Sequence, residues 1–146
     1  MQNVFDAKDA QEYINRINNL TPETQRKWGK MSVDQVLAHL NVAYDLTFTP
    51  EKFPKPSFIA KFLLSKFVKP KITNEIPYKQ SLPTSPVFII ADERNFEEEK
   101  AKLIGNIQRV QQLGREAFEG KENINFGKMT AQGWNNMFAK HLNHHL

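Results

Sequence analysis

Apolar residues recur at helical spacing in four long stretches of the chain, roughly residues 8–20, 32–48, 95–113 and 131–146. In the first, Ala10, Tyr13, Ile14 and Ile17 form one stripe, with Asp9 and Glu12 spaced as an N-terminal capping box. Thr21-Pro22 then predicts a stop and a restart, with Pro22 opening a short helix that Gly29 ends. Ser32 and Gln35 make a second capping box, after which Val33, Val36, Leu37, Leu40, Ala43, Tyr44 and Thr47 share a face. Asn95 caps the third long helix, and Glu97, Glu98 and Glu99 suit the positive end of its dipole. Phe96, Leu103, Ile107 and Val110 supply its stripe, and Gly114 is placed to end it. Thr130 caps the last.

Between the second and third of these helices the pattern changes. Seven of the eight prolines fall between Pro50 and Pro86. The segment reads as a long crossover, extended and irregular from 71 to 86, with Val87 to Ala91 β-prone but lacking a partner strand. Within it, Ser57 to Lys69 predicts one short amphipathic helix. Ile59, Ala60, Leu63, Leu64, Phe67 and Val68 lie opposite Lys61, Ser65 and Lys69, and that apolar face is expected to pack on the chain's own helices. The stretch 115–129 reads as loop with one turn of helix. The sum is an all-α protein, a four-helix bundle of one domain over 1–146, with the Pro-rich crossover allowing two successive helices to run in the same direction.

The last helix, AQGWNNMFAKHLNHHL from Ala131 to Leu146, carries three of the four histidines. With Trp134 at zero and a step of about 100° per residue, Phe138 falls at about 40°, Met137 at about 300°, His141 at about 340° and His145 at about 20°. Two histidines therefore lie in the apolar stripe. His144 is at its edge, and Asn135, Asn136, Lys140 and Asn143 face away. An i, i+4 pair has its Cβ atoms ~6 Å apart, close enough for two imidazoles to meet one metal ion. The same residues are also what a helix C-terminus favours, because protonated histidines complement the dipole and cap free carbonyls. His39, at the flank of the second helix's stripe, reads either as a boundary residue of the core or as a third ligand.

Composition narrows the chemistry. The chain has 146 residues, 40% hydrophobic and 25% charged, and no cysteine, so disulfide, thiolate-ligand and cysteine-nucleophile chemistry is excluded. The six glycines are scattered and form no phosphate loop. No signal peptide and no transmembrane run is evident, which makes a cytoplasmic location the expectation. The net charge of +4 is mildly basic. Lys52, Lys55, Lys61, Lys66, Lys69, Lys71 and Lys79 offer a basic surface for nucleic acid or membrane, but without arginine or a recognition motif they read as a solvated face with no specific nucleic-acid partner.

WGKMSVDQVLAHL (Trp28 to Leu40) and FGKMTAQGWNNMFAKHLNHHL (Phe126 to Leu146) together resemble the DinB-like superfamily of four-helix bundles, whose members are taken to be metalloenzymes, and within it a branch of undefined function. The likeness covers both ends and the order of helices; the Pro-rich middle carries little of it. It implies that His39, His141 and His145 hold a divalent metal and that His144 accompanies the pair without ligating. Relatives of this kind usually continue past the last histidine with an arginine and a glutamine before a glycine, whereas this sequence ends at Leu146.

Three neutral imidazoles leave positions open on the ion, as in catalytic rather than structural sites. Zinc, nickel, iron, copper and manganese are all admissible. The resemblance implies a small-molecule substrate and a low-molecular-weight thiol as cosubstrate, in a transferase, isomerase or hydrolase, with a homodimer as an option. The alternative is a non-catalytic bundle that binds a metal or a small ligand. Asp45 and Glu116 are the conceivable acceptors for the ligands' second ring nitrogens.

Overall fold

The computed structural model describes residues 1–25, 29–80 and 85–146. These residues are mostly helical, and among them are four long helices and two short ones. The long helices are α1 (Ala7–Asn18), α2 (Val33–Phe48), α5 (Phe96–Phe118) and α6 (Ala131–His145); the crossover supplies α3 (Phe58–Leu63) and α4 (Lys69–Thr73), joined by a π-helical turn, Leu64–Val68. A two-stranded antiparallel hairpin, β1 (Glu122–Asn123) with β2 (Gly127–Lys128), leads into α6.

The helix ends follow side-chain chemistry. Thr130 Oγ1 accepts from the Gly133 N–H at 3.0 Å, and Asn95 Oδ1 from the Glu98 N–H at 2.9 Å. At α2 the predicted box is present, with the Ser32 N–H donating to Gln35 Oε1 at 3.0 Å. Each such cap is worth about 1 kcal/mol. At α1 the cap is Asp6 rather than Asp9: Asp6 accepts from the Lys8 and Asp9 N–H groups, and the Asp9 carboxylate instead receives the Asn3 N–H at 2.8 Å. The helix expected from Pro22 to Gly29 lies partly outside the described residues, and within them Thr21 to Thr24 closes only a turn. Gly114, at φ 79° and ψ 170°, breaks the regular run of α5, and one further turn carries Phe118 into the core.

That core is built where α1, α2, α5 and α6 meet. Tyr13, Ile14 and Ile17 of α1, Leu37, Leu40 and Tyr44 of α2, Leu103, Ile107 and Val110 of α5, and Trp134, Phe138 and Leu142 of α6 are buried in one cluster. Tyr44 stacks on Phe138 with ring centroids 4.8 Å apart, and Phe118 meets Trp134 edge-on at 5.4 Å. Full burial of side chains this large stabilises the fold by about 2–3 kcal/mol each.

Two features of the packing between the crossover and the rest of the chain differ from the sequence expectation. The first is α6, which is buried on its polar face as well. Asn136 Nδ2 donates to the Thr73 carbonyl at 2.8 Å, and Lys140 Nζ donates to the Lys71 carbonyl at 2.7 Å and to Asn74 Oδ1 at 2.9 Å. On the other flank, Asn135 Oδ1 accepts the Val4 N–H at 2.7 Å. The asparagines and lysine face backbone carbonyls and amides, so they satisfy buried polar groups instead of meeting water. Residues 71–73, expected to be extended, are helical, and their carbonyls are what α6 reads.

The second is the rotation of α3. Lys61 is pinned to Glu122 at 2.7 Å and Lys69 to the Lys128 carbonyl at 2.7 Å. Both contacts lie on the side of the segment that faces the rest of the fold. Phe58, Ile59, Phe62, Leu63 and Phe67, expected in part to pack on the long helices, face outward. Val87 and Phe88, expected to open a β-prone stretch that runs to Ala91, instead form a 3-10 turn with Pro86, and Ile90 packs behind it on Ala38 and Val42 of α2.

Candidate metal centre

α2 and α6 bring His39 to His141 and His145. Each helix is fixed in rotation by its buried stripe, Leu37 and Leu40 on one and Trp134, Phe138 and Leu142 on the other. The histidines follow those stripes at the same end. One candidate ligand atom from each of the three lies within 4.8 Å of the other two. Ring centroids are 4.8 Å apart for His39 and His141, 4.5 Å for His39 and His145, and 5.3 Å for His141 and His145.

Hydrogen bonding assigns the ring nitrogens. His39 Nδ1 lies 2.8 Å from the Phe88 carbonyl oxygen. A carbonyl only accepts, so Nδ1 bears the proton and Nε2 presents its lone pair. His141 Nε2 is 2.9 Å from that lone pair, and its N–H donates to it. An ion at this point would take the place of that proton. Ligands bound at ~2.0–2.2 Å stand roughly 3.0–3.5 Å apart for right-angle to tetrahedral geometry. The His39–His141 spacing of 2.9 Å is close to this range, and the three ligand atoms lie within 4.8 Å of one another.

Burial keeps the cluster neutral. It lowers the affinity of His39 for a proton, the Phe88 hydrogen bond opposing in part. His141 is held well below the ordinary histidine value by burial first and then by the neighbouring His39, His145 and His144. His145 is lowered to about 3, again by burial and then by His39 and His144. Only the neutral imidazole is a ligand, so this environment favours coordination over protonation. His144 is half-buried at the edge, with its ring 5.8 Å from Tyr78.

The residue the sequence did not point to is Phe88. Its carbonyl orients His39, and its ring stands edge-on to His39 at 5.4 Å and to His141 at 5.7 Å. The outer acceptor for His39 is therefore neither Asp45, which pairs with Lys102 at 2.9 Å, nor the exposed Glu116. The sequence pattern placed Phe88 in a β-prone stretch, and the signal it held for a turn was Pro86, at a position where proline opens one.

A family model described as "Protein of unknown function (DUF1569)" matches residues 2–146. The chain belongs to the DUF1569 family. No curated protein and no solved structure matches it.

Proposed function

We propose that His39, His141 and His145 hold one divalent ion at the end of a DinB-like four-helix bundle spanning 1–146, and that the protein is a metal-dependent enzyme acting on a small molecule. The observation that carries this reading is the meeting of three imidazoles from two helices about a hundred residues apart, with their candidate ligand atoms within 4.8 Å. His39 and His141 already share one hydrogen bond at 2.9 Å, so their ring nitrogens face one another at a spacing a shared ion would use.

The chain's own contribution is orientation and exclusion of water. Phe88 fixes the His39 tautomer through its carbonyl and covers His141 with its ring. An ion in such a site supplies Lewis acidity, lowering the pKa of a bound water or thiol at the positions the protein leaves open. The donor set is entirely imidazole, which suits zinc, nickel, iron or copper better than manganese, an ion that favours oxygen donors. A low-molecular-weight thiol as cosubstrate, giving a transferase or isomerase, follows from the DinB-like resemblance. A metal- or ligand-binding bundle without turnover is the second reading.

Protein produced without a histidine tag should carry one divalent ion per chain by elemental analysis. His39→Ala and His141→Ala should each lose it while remaining folded by circular dichroism. Full metal content in folded His39→Ala would refute the site. Stoichiometric metal with no turnover across thiol cosubstrates would select the non-catalytic reading.

A further inference from the structure

Apart from the histidine cluster, the most unusual surface is the outward face of α3 and the π-helical turn. Phe58 is 89% exposed, Ile59 70%, Phe62 57%, Leu63 47%, Phe67 58% and Val68 36%. Large contiguous apolar surface rarely faces water without a partner. Between Glu51 and Glu75 the segment carries six lysines and no acid; Lys61 and Lys69 are engaged with Glu122 and the Lys128 carbonyl, which leaves Lys52, Lys55, Lys66 and Lys71 exposed beside the apolar face. Lys66 sits in the middle of the face, its ammonium 5.6 Å from the Phe67 ring and 5.9 Å from the Phe62 ring. Lys52 and Lys55 are exposed just before it.

We propose that this face docks on an anionic lipid surface, lying in the plane of the interface without crossing it. An amphipathic helix with bulky apolar residues and a lysine fringe binds such surfaces by burying its apolar side at the headgroup boundary while the cations meet anionic headgroups. Among the described residues no helix is long and apolar enough to cross a membrane, so the contact is peripheral. A second copy of the chain fits less well. A two-fold axis through the face would set Lys66 against its own mate, with no carboxylate in the segment to neutralise the pair.

The face is also held firmly to the rest of the fold. The Lys61–Glu122 and Lys69–Lys128 tethers fix its rotation, and α4 is fastened to α6 through Asn136 and Lys140. Docking would therefore hold the helix that carries His141 and His145 at a set attitude to the lipid.

The test uses the full chain and vesicles of phosphatidylcholine alone or in equal parts with phosphatidylglycerol. Sedimentation should pull the protein down with the mixed vesicles and not with pure phosphatidylcholine, and raised salt should weaken the binding. Lys66→Glu should bind roughly tenfold or more weakly, and Phe62→Ser with Phe67→Ser should abolish binding. Because these side chains face solvent, the variants should keep the parent's circular dichroism and unfolding midpoint. A single Phe62→Trp should shift its emission to the blue on the mixed vesicles. No sedimentation with phosphatidylglycerol, or binding unchanged in the folded Phe62→Ser/Phe67→Ser variant, would overturn the proposal. So would a dimer in solution that Phe62→Ser/Phe67→Ser converts to monomer, since a second copy would then cover the face.

Discussion

The Nδ1 of His39 lies 2.8 Å from the carbonyl oxygen of Phe88, and this contact decides which nitrogen of His39 faces His141. The acceptor is backbone, so it takes no part in titration near neutral pH. It is held in place by the 3-10 turn Pro86–Phe88 and by Ile90 packed on Ala38 and Val42. Neutral His39 should therefore be a single tautomer, protonated at Nδ1. Long-range proton–nitrogen correlation at neutral pH should show a protonated Nδ1 and a bare Nε2 for this ring. A dominant Nε2–H form would mean that the Phe88 contact does not orient the ligand.

Lys140 shows how α6 is fixed from its other side. It is 3% exposed, and its ammonium reaches the Lys71 carbonyl at 2.7 Å and Asn74 Oδ1 at 2.9 Å. The same group lies 4.5 Å from the centre of the Tyr78 ring. Lys140→Met keeps much of the apolar stem but leaves the Lys71 carbonyl without this donor. The expected loss is about 1–3 kcal/mol, read as a lower urea midpoint at unchanged slope. An unchanged midpoint would show that water replaces the ammonium without cost.

How much of this was legible in the sequence depended on what each residue faces. The long helices were readable because their caps and stripes are local: Ser32 with Gln35, Asn95 and Thr130 act within one turn. The inward phase of His141 and His145 followed from Trp134 and Phe138 on the same helix. Asn135, Asn136 and Lys140 were misread as solvent-facing because their partners are main-chain groups of Val4 and of residues 71–73, which side-chain periodicity does not display. The outward turn of Ile59, Leu63, Phe67 and Val68 was hidden for a related reason. Tethers to Glu122 and Lys128, distant in sequence, set the rotation of that segment against its own hydrophobic pattern.

The neutral histidines have a consequence for stability against pH. His145 is lowered to about 3, and His39 and His141 are lowered as well, all with burial as the first cause. An unfolded histidine titrates near ~6.5. Below that value the unfolded state binds protons that the folded state resists, so stability rises with pH through this window and is fully present above it. Chelator-treated protein should therefore lose unfolding midpoint between about pH 6.5 and pH 5, before carboxylates protonate appreciably. His141→Leu combined with His145→Leu should flatten that slope. A wild-type midpoint that is level across the window would show that the folded cluster takes up protons as readily as the unfolded chain.

Ligation should be separable from mere proximity by comparing His144 with its neighbours. His144 shares the last turn of α6 and stands 4.9 Å from the His145 ring, yet it lies outside the group of three whose ligand atoms converge. A ligand that binds only the folded state stabilises it in proportion to the logarithm of its concentration over its dissociation constant, about 2.7 kcal/mol at a hundredfold excess. For a chain of this size that corresponds to an unfolding midpoint higher by roughly 5–10 °C. Saturating zinc should raise the midpoint of chelator-treated wild type and of His144→Ala by that order, and should leave His39→Ala and His145→Ala where they were. The contrast controls for adventitious binding to an exposed histidine tail, which would respond to His144 and be indifferent to His39. A zinc response that survives His39→Ala but disappears in His144→Ala would place the ion on the end of α6 alone and remove α2 from the site.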